Sequence, residues 1–119
     1  MIFVGTDIVP IIRIENLIKG KGKRFLNHVY TKLEQNICNT KKSPFIHYSG
    51  KFAAKEAVKK ALLSSKLTKN IPLLSIEIKN DDDGAPLVHI PQDSIKYEQL
   101  QVSISHAGEY ATATAILKI

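Results

Sequence analysis

The sequence predicts a single α+β domain over residues 1–119, with helices packed on a largely antiparallel sheet. Three observations carry this. The stretch SGKFAAKEAVKKALLSS (49–65) places Ala54, Ala57, Val58, Ala61 and Leu62 on one apolar stripe of a helix. The closing segment YATATAILKI alternates Ala111, Ala113, Ala115 and Leu117 with Tyr110, Thr112, Thr114 and Ile116, the period of a half-buried strand. Between them, PLLSIEIKN (72–80), DDDG (81–84) and PLVHI have the pattern of a hairpin. Small residues dominate both the helix stripe and the strand face, so the two can pack at close range. A chain of 119 residues suffices for one modest core.

From the amino end, MIFVGTDI reads as a short buried strand ending at Asp7, with Gly5 permitting close backbone approach. Asp7 either caps a helix opened by Pro10 or faces a ligand at the sheet rim; a carboxylate has lone pairs for both. PIIRIENLIK (10–19) predicts a short helix with Ile11, Ile14 and Leu17 packed and Arg13 outside. KGKGKR (19–24) reads as a glycine-loosened basic loop. A helical pattern then resumes from Phe25 to Cys38, and NTKKSP (39–44) breaks it. In the central helix, Ser49 and Gly50 are the N-cap choices. Its outer face carries Lys51, Lys55, Glu56, Lys59 and Lys60, with Glu56 and Lys60 one turn apart. DDDG lacks the twelve-residue calcium-loop pattern and is assigned to a turn. IPQDSIKYEQL is a connector with a short helical turn, and QVSIS pairs with the last strand, leaving His106 just beyond it.

Composition narrows the function. No apolar run approaches the ~18 residues of a membrane span, and the first residues lack the basic start of a signal peptide. The single Cys38 excludes an internal disulfide, suits a reducing cytoplasm and reads as a small core residue. Residues 1–70 hold 14 Lys+Arg against 4 Asp+Glu, a net of +10, while residues 71–119 hold 3 against 7, a net of −4. A basic amino-terminal half implies an anionic partner: nucleic acid, polyphosphate cofactor or acidic protein. The eight Phe and Tyr residues do not interleave with the basic runs, and no RNA-binding signature is present, which disfavours nucleic acid. No Cys/His metal spacing, nucleophile elbow, Walker loop or dinucleotide fingerprint occurs. His28, His47 and His89 fall in no motif.

Three motifs occur in order: GTDIV (5–9), the AAKEAVKKA core of the central helix, and SISHAGEYATATAIL (103–117). Together they resemble the holo-acyl-carrier-protein synthase type of 4′-phosphopantetheinyl transferase over nearly the whole chain. The resemblance implies that family's fold and a cytoplasmic, Mg²⁺-dependent reaction of fatty acid biosynthesis. In it, the 4′-phosphopantetheine arm of coenzyme A passes to a serine of apo acyl carrier protein, releasing 3′,5′-ADP. Asp7 and Glu56 are implied as the Mg²⁺ ligands, with Glu56 a ligand only or also a base. Lys60 is implied to hold phosphate charge or to protonate the leaving group. Lys51, Lys55, Gly84, Pro86, Ser105 and His106 are implied as coenzyme-binding residues. The acidic carrier protein would meet Arg13, Lys23, Arg24 and Phe25, although Phe25 also reads as the first core residue of its helix. Homotrimers with active sites between protomers are implied, with neither nucleic acid nor membrane as partner. The chain departs from the family pattern at LLSSKLTKN, where a glycine-rich turn is usual, at Ala85 in place of a lysine, and at Lys51 in place of an arginine. These departures imply an altered affinity for coenzyme A.

Overall fold

The computed structural model describes residues 1–91, 93 and 95–119. A long first strand, β1 (Ile2–Pro10), leads into three short helices, α1 (Ile11–Lys21), α2 (Lys23–Val29) and α3 (Lys32–Asn39). The central helix α4 (Pro44–Ser65) follows, then a 3-10 turn (Leu73–Ser75) and the hairpin β2 (Glu77–Asn80) and β3 (Pro86–His89). The chain closes with β4 (Gln99–Ala107) and β5 (Tyr110–Lys118). β5 lies between β1 and β4, antiparallel to both, and β2–β3 form a separate two-stranded sheet. This is the expected α+β arrangement, helices on antiparallel sheets.

α4 lies across the three-stranded sheet. Ala53, Ala54, Ala57, Val58, Ala61 and Leu62 are buried against Ala111, Ala113, Ala115 and Leu117, the two small-residue faces that the sequence patterns define. Cys38 is also buried, and burial pushes its thiol up to about 12, so it stays protonated and apolar in character. The closest approach is at Gly5. A Cβ there would collide with the Ala57 carbonyl and come within 2.8 Å of the Ala61 nitrogen, both main-chain atoms of α4. Gly5→Ala is therefore expected to cost about 2–3 kcal/mol in a denaturant titration, because helix and strand must separate. A wild-type midpoint would mean that α4 retreats freely.

Several boundaries differ from the sequence reading, each for a physical reason. α4 begins at Pro44, a favoured first-turn residue, so Ser49 and Gly50 lie inside the helix and are not its caps. Ser49 Oγ donates to the Phe45 carbonyl (2.7 Å), and Gly50 admits Ile104 from β4. β1 runs on through Asp7 to Pro10 because β5 pairs with it as far as Tyr110; Asp7 sits opposite Ala113, within the strand. Pro10 precedes α1 with no side-chain cap, so Asp7 does not cap it. KGKGKR is mostly helical, interrupted only at Gly22 (φ 57°). The helical pattern from Phe25 to Cys38 is broken at Thr31, which opens α3 in a reciprocal capping box with Glu34. PLLSIEIKN divides into the 3-10 turn and β2. Ser105 lies within β4 as expected, and His106 lies within it too, not beyond it. The helical turn expected in IPQDSIKYEQL falls partly on residues 92 and 94, outside the described residues.

Candidate active site

The four lysines of the basic face of α4 divide into two that are buried, Lys51 and Lys55, the half-buried Lys59, and the exposed Lys60. Lys55 is fully buried, 2.6 Å from Glu34 Oε1, and donates to the carbonyls of Val29 (2.7 Å) and Leu73 (3.2 Å). Glu34 Oε2 accepts from the Ile78 amide (2.7 Å). Burial lowers the Lys55 pKa, and the Glu34 carboxylate opposes that shift. An ammonium has three N–H groups, all occupied here, so Lys55 has no donor left for a ligand. This corrects its placement on the outer face: Lys55 ties α4 to α3, to the end of α2 and to the segment entering β2. Lys51, only 5% exposed, donates to the Ile78 carbonyl (3.0 Å) and to Asn80 Oδ1 (3.1 Å), and burial lowers its pKa too.

At the β1 end of α4, Lys60 Nζ donates to the Thr6 carbonyl (2.9 Å) and to Asp7 Oδ1 (3.2 Å). Thr112 Oγ1, from β5, donates to the Asp7 carbonyl (2.9 Å). Thr6, Asp7, Ile8, Lys60 and Thr112 line a shallow open pocket there. Lys60 pairs with Asp7 across the elements, not with Glu56 along the helix. Glu56 lies one turn before Lys60 and is half-buried, and its neighbour Ala57 packs on Gly5. Among the described residues no cation is in ion-pair range of Glu56, and no cluster of three or more His, Cys, Asp or Glu side chains exists. Two carboxylates without nitrogen or sulfur donors suit Mg²⁺, which fills its octahedron with waters and substrate phosphates.

A cavity of about 490 Å³ opens on the other side of α4, between the helix, the β2–β3 turn and β4. It gathers Lys51, Gly84 and His106 from the expected coenzyme-binding set; Pro86 and Ser105 are close in sequence but do not line it. Lys41 and His47 line it as well, opposite Asp81 and Asp82, over an apolar floor that includes Ile37 and Ile104. Burial lowers the His47 pKa, and Lys41, His106 and Lys51 lower it further. The sequence left His47 structural because it falls in no motif, and a central helix starting at residue 49 did not relate it to Lys51. On the full α4, His47 is one turn before Lys51 and shares its side. Lys41 and Lys51 together with the apolar Ile37, Ile46 and Ile104 of this lining suit a ligand that carries both phosphate and a flat ring.

The four residues expected to meet a partner lie on two neighbouring helices. Arg13 is exposed on α1 and borders an open groove with Pro10, Ile12 and Leu17. Lys23 is exposed at the start of α2, while Arg24 and Phe25 line a shallow pocket with Lys21 and His28. The Phe25 ring also packs edge-on against Tyr30 at 6.1 Å, so much of it belongs to the core.

Comparison with known proteins is consistent across the whole chain. The family model of the 4′-phosphopantetheinyl transferase superfamily matches residues 3–115. The chain is 46% identical over 116 residues to a holo-[acyl-carrier-protein] synthase of Protochlamydia amoebophila, covering 95% of this chain and 94% of that protein. It is 40% identical over 114 residues to the protein of the same name from Thermodesulfovibrio yellowstonii, covering 96% of each. Among solved structures, the ACPS–CoA complex of Chronobacterium ammoniagenes superposes with a TM-score of 0.85 at 27% identity, covering 99% of this chain and 97% of that one. The Helicobacter pylori holo-[acyl-carrier-protein] synthase in complex with coenzyme A gives 0.79 at 30% identity, covering 97% and 99%.

Proposed function

The chain belongs to the 4′-phosphopantetheinyl transferase superfamily, and we propose that it transfers the 4′-phosphopantetheine group of coenzyme A to a serine of apo acyl carrier protein. The observation that carries this reading is the arrangement along α4. A carboxylate–lysine pair, Asp7 and Lys60, lies at one side, with Glu56 one helical turn before Lys60, and a cavity lined by Lys41 and Lys51 as well as Asp81 and Asp82, large enough for part of a nucleotide, lies at the other. The serine oxygen forms a bond to the pantetheine-linked phosphorus. The bond from that phosphorus to the bridging oxygen breaks, and 3′,5′-ADP leaves with that oxygen. Asp7 and Glu56 would hold Mg²⁺, which supplies charge neutralisation at the diphosphate. Lys60 adds a positive charge beside it, and Glu56 accepts the serine proton directly or through a water. The nucleotide end of coenzyme A occupies the cavity bordered by Lys51, Gly84 and His106.

The reaction belongs to fatty acid biosynthesis in the cytoplasm. No described helix is long and apolar enough to cross a membrane. The outer face of the three-stranded sheet exposes Ile2, Val4, Ile8 and Ile116, each more than 45% accessible. An apolar band of this kind on paired strands favours burial against further copies of the chain, in a homotrimer with active sites between protomers.

Mass spectrometry tests the activity. With coenzyme A and Mg²⁺, an apo carrier protein is expected to gain roughly 340 Da on its serine, the phosphopantetheine increment of a phosphoryl transfer. EDTA should stop the gain and added Mg²⁺ restore it. Folded protein that leaves several acidic carriers unmodified would defeat the reading.

Carrier recognition is expected to rest on the basic residues of α1 and α2. Exposed charge pairs contribute about 0.2–1 kcal/mol each, so a single reversal should be mild. Arg13→Glu combined with Arg24→Glu should raise the carrier KM about tenfold or more once their effects reach about 1.4 kcal/mol together. The KM for coenzyme A should barely move, and added salt should slow the wild type at low carrier concentration. Equal losses for both substrates would place these arginines in the coenzyme site.

A further inference from the structure

We propose that Lys51 serves coenzyme binding as a strut, through Asn80, that sets the position of the turn walling the nucleotide cavity. This rests on the transferase reading given above. Lys51 projects from α4, the most firmly packed element, and grips β2 twice, at the Ile78 carbonyl (3.0 Å) and at Asn80 Oδ1 (3.1 Å). Asn80 passes the constraint on: its Nδ2 donates to the Gly84 carbonyl (3.0 Å), on the far side of the turn. The turn is itself a closed unit. The Asp81 amide donates to the Ala85 carbonyl (2.9 Å), the Gly84 amide to the Asp81 carbonyl (3.0 Å), and Asp81 Oδ1 accepts from the amides of Asp83 and Ala85. It therefore moves as one body, and the Lys51–Asn80 link decides where that body sits.

The base of the hairpin is held by buried Ile78, whose amide donates to Glu34, and the Lys51–Asn80 link is what carries that hold on towards the turn. β2 and β3 pair over only four residues each, and a two-stranded ribbon is marginal by itself. Asn80, Asp81, Asp82 and Gly84 all border the cavity, so a shift of the turn changes the shape that the nucleotide meets. The charge arrangement points the same way. Lys51 is nearly buried and both of its acceptors are neutral, since Glu34 is committed to Lys55. A buried cation without an anion partner is unfavourable unless its hydrogen bonds offset the cost, and those hydrogen bonds are the two that hold β2. Two of its three N–H groups are already used in holding β2 and Asn80. Lys51 thus acts on the coenzyme through the turn.

A double-mutant cycle separates a strut from a direct phosphate ligand. Lys51→Met puts an apolar chain of similar shape in place of a buried charge and should fold; Asn80→Ala leaves Lys51 present and alters an exposed position. Each single variant is expected to raise the KM for coenzyme A roughly tenfold with little change in kcat, and the double variant should be no worse than either single one. Calorimetric affinity for 3′,5′-ADP should fall in parallel. Amide hydrogen exchange at Asp83, Gly84 and Ala85 should quicken in both variants, with α4 protection unchanged. Additive losses, or a silent Asn80→Ala beside a damaging Lys51→Met, would overturn the strut and make Lys51 a direct ligand. Carrier modification by the wild type without this coupling would sink the strut and leave the transferase reading standing. Coupled 3′,5′-ADP binding without carrier modification would do the reverse, and failure to bind either nucleotide would defeat both.

Discussion

Asp7→Asn and Glu56→Gln are each expected to reduce turnover by about 10²–10³-fold while leaving the fold intact. Each change replaces a hard anionic oxygen with a neutral amide of nearly the same shape, and Mg²⁺ tolerates that poorly. The lost charge stabilisation is worth several kcal/mol at the transition state, and each ~1.4 kcal/mol is tenfold in rate. The two variants should differ in one respect. Asp7 also accepts from Lys60 at 3.2 Å, but in Asp7→Asn the amide oxygen can still accept and the Thr6 carbonyl still holds the lysine, so the loss falls mainly on the proposed metal site. Glu56 has no such partner among the described ion pairs, so Glu56→Gln should act on the metal and the serine proton alone. Raising Mg²⁺ should therefore recover more activity for Asp7→Asn than for Glu56→Gln, if Glu56 is also the base. Near-wild-type rates at limiting Mg²⁺ in either variant would remove that residue from the metal site.

Glu34→Ala is expected to cost about 3–5 kcal/mol of stability, because removing one partner of a buried pair strands the other. The Lys55 ammonium would be left with two carbonyls and no anion in a site of zero exposure. The Ile78 and Thr31 amides would each lose an acceptor, the first at the entry to β2 and the second at the cap of α3. For a domain of this size, about 4 °C of Tm is lost per kcal/mol, so the melting temperature should fall by more than ~10 °C. Glu34→Gln should lose less, keeping hydrogen bonds but not the charge. Glu34→Leu with Lys55→Met should recover much of the loss, since an apolar pair of similar volume often replaces a buried ion pair at little cost. A drop below about 1 kcal/mol for Glu34→Ala would mean that water reaches Lys55 and that the pair is not sealed.

The same residues show how far the sequence could be read. The alanine stripe of α4 and the alternation of β5 are periodic, and periodicity alone gives an element and its buried face; the close approach at Gly5 was expected from its missing side chain. The order of GTDIV, the central helix motif and SISHAGEYATATAIL was enough to indicate the family. The capping box of Thr31 and Glu34 was also legible, as Thr followed three residues later by Glu, and it was missed because the apolar pattern continues across it. The strand end at Asp7 was misread because the length of β1 depends on its partner: Thr6 to Pro10 stay extended because β5 pairs with them.

By itself, then, the sequence determined the local periodicities, the α+β class and the set of acids and lysines available for chemistry. Which lysine does what was decided only by the tertiary structure. Lys51, Lys55 and Lys60 all lie off the apolar stripe of one helix, and helical geometry gives each side chain a direction. It does not say whether that direction leads to solvent or to a second layer. Glu34 on α3 and the backbone of β2 lie over the first part of α4, so Lys55 and Lys51 are enclosed and paired there. Among the described residues no second layer covers Lys60, which remains exposed and reaches Asp7 at the sheet. The fate of a charge on a helix surface depends on what the distant parts of the chain bring against it, and that information is not periodic.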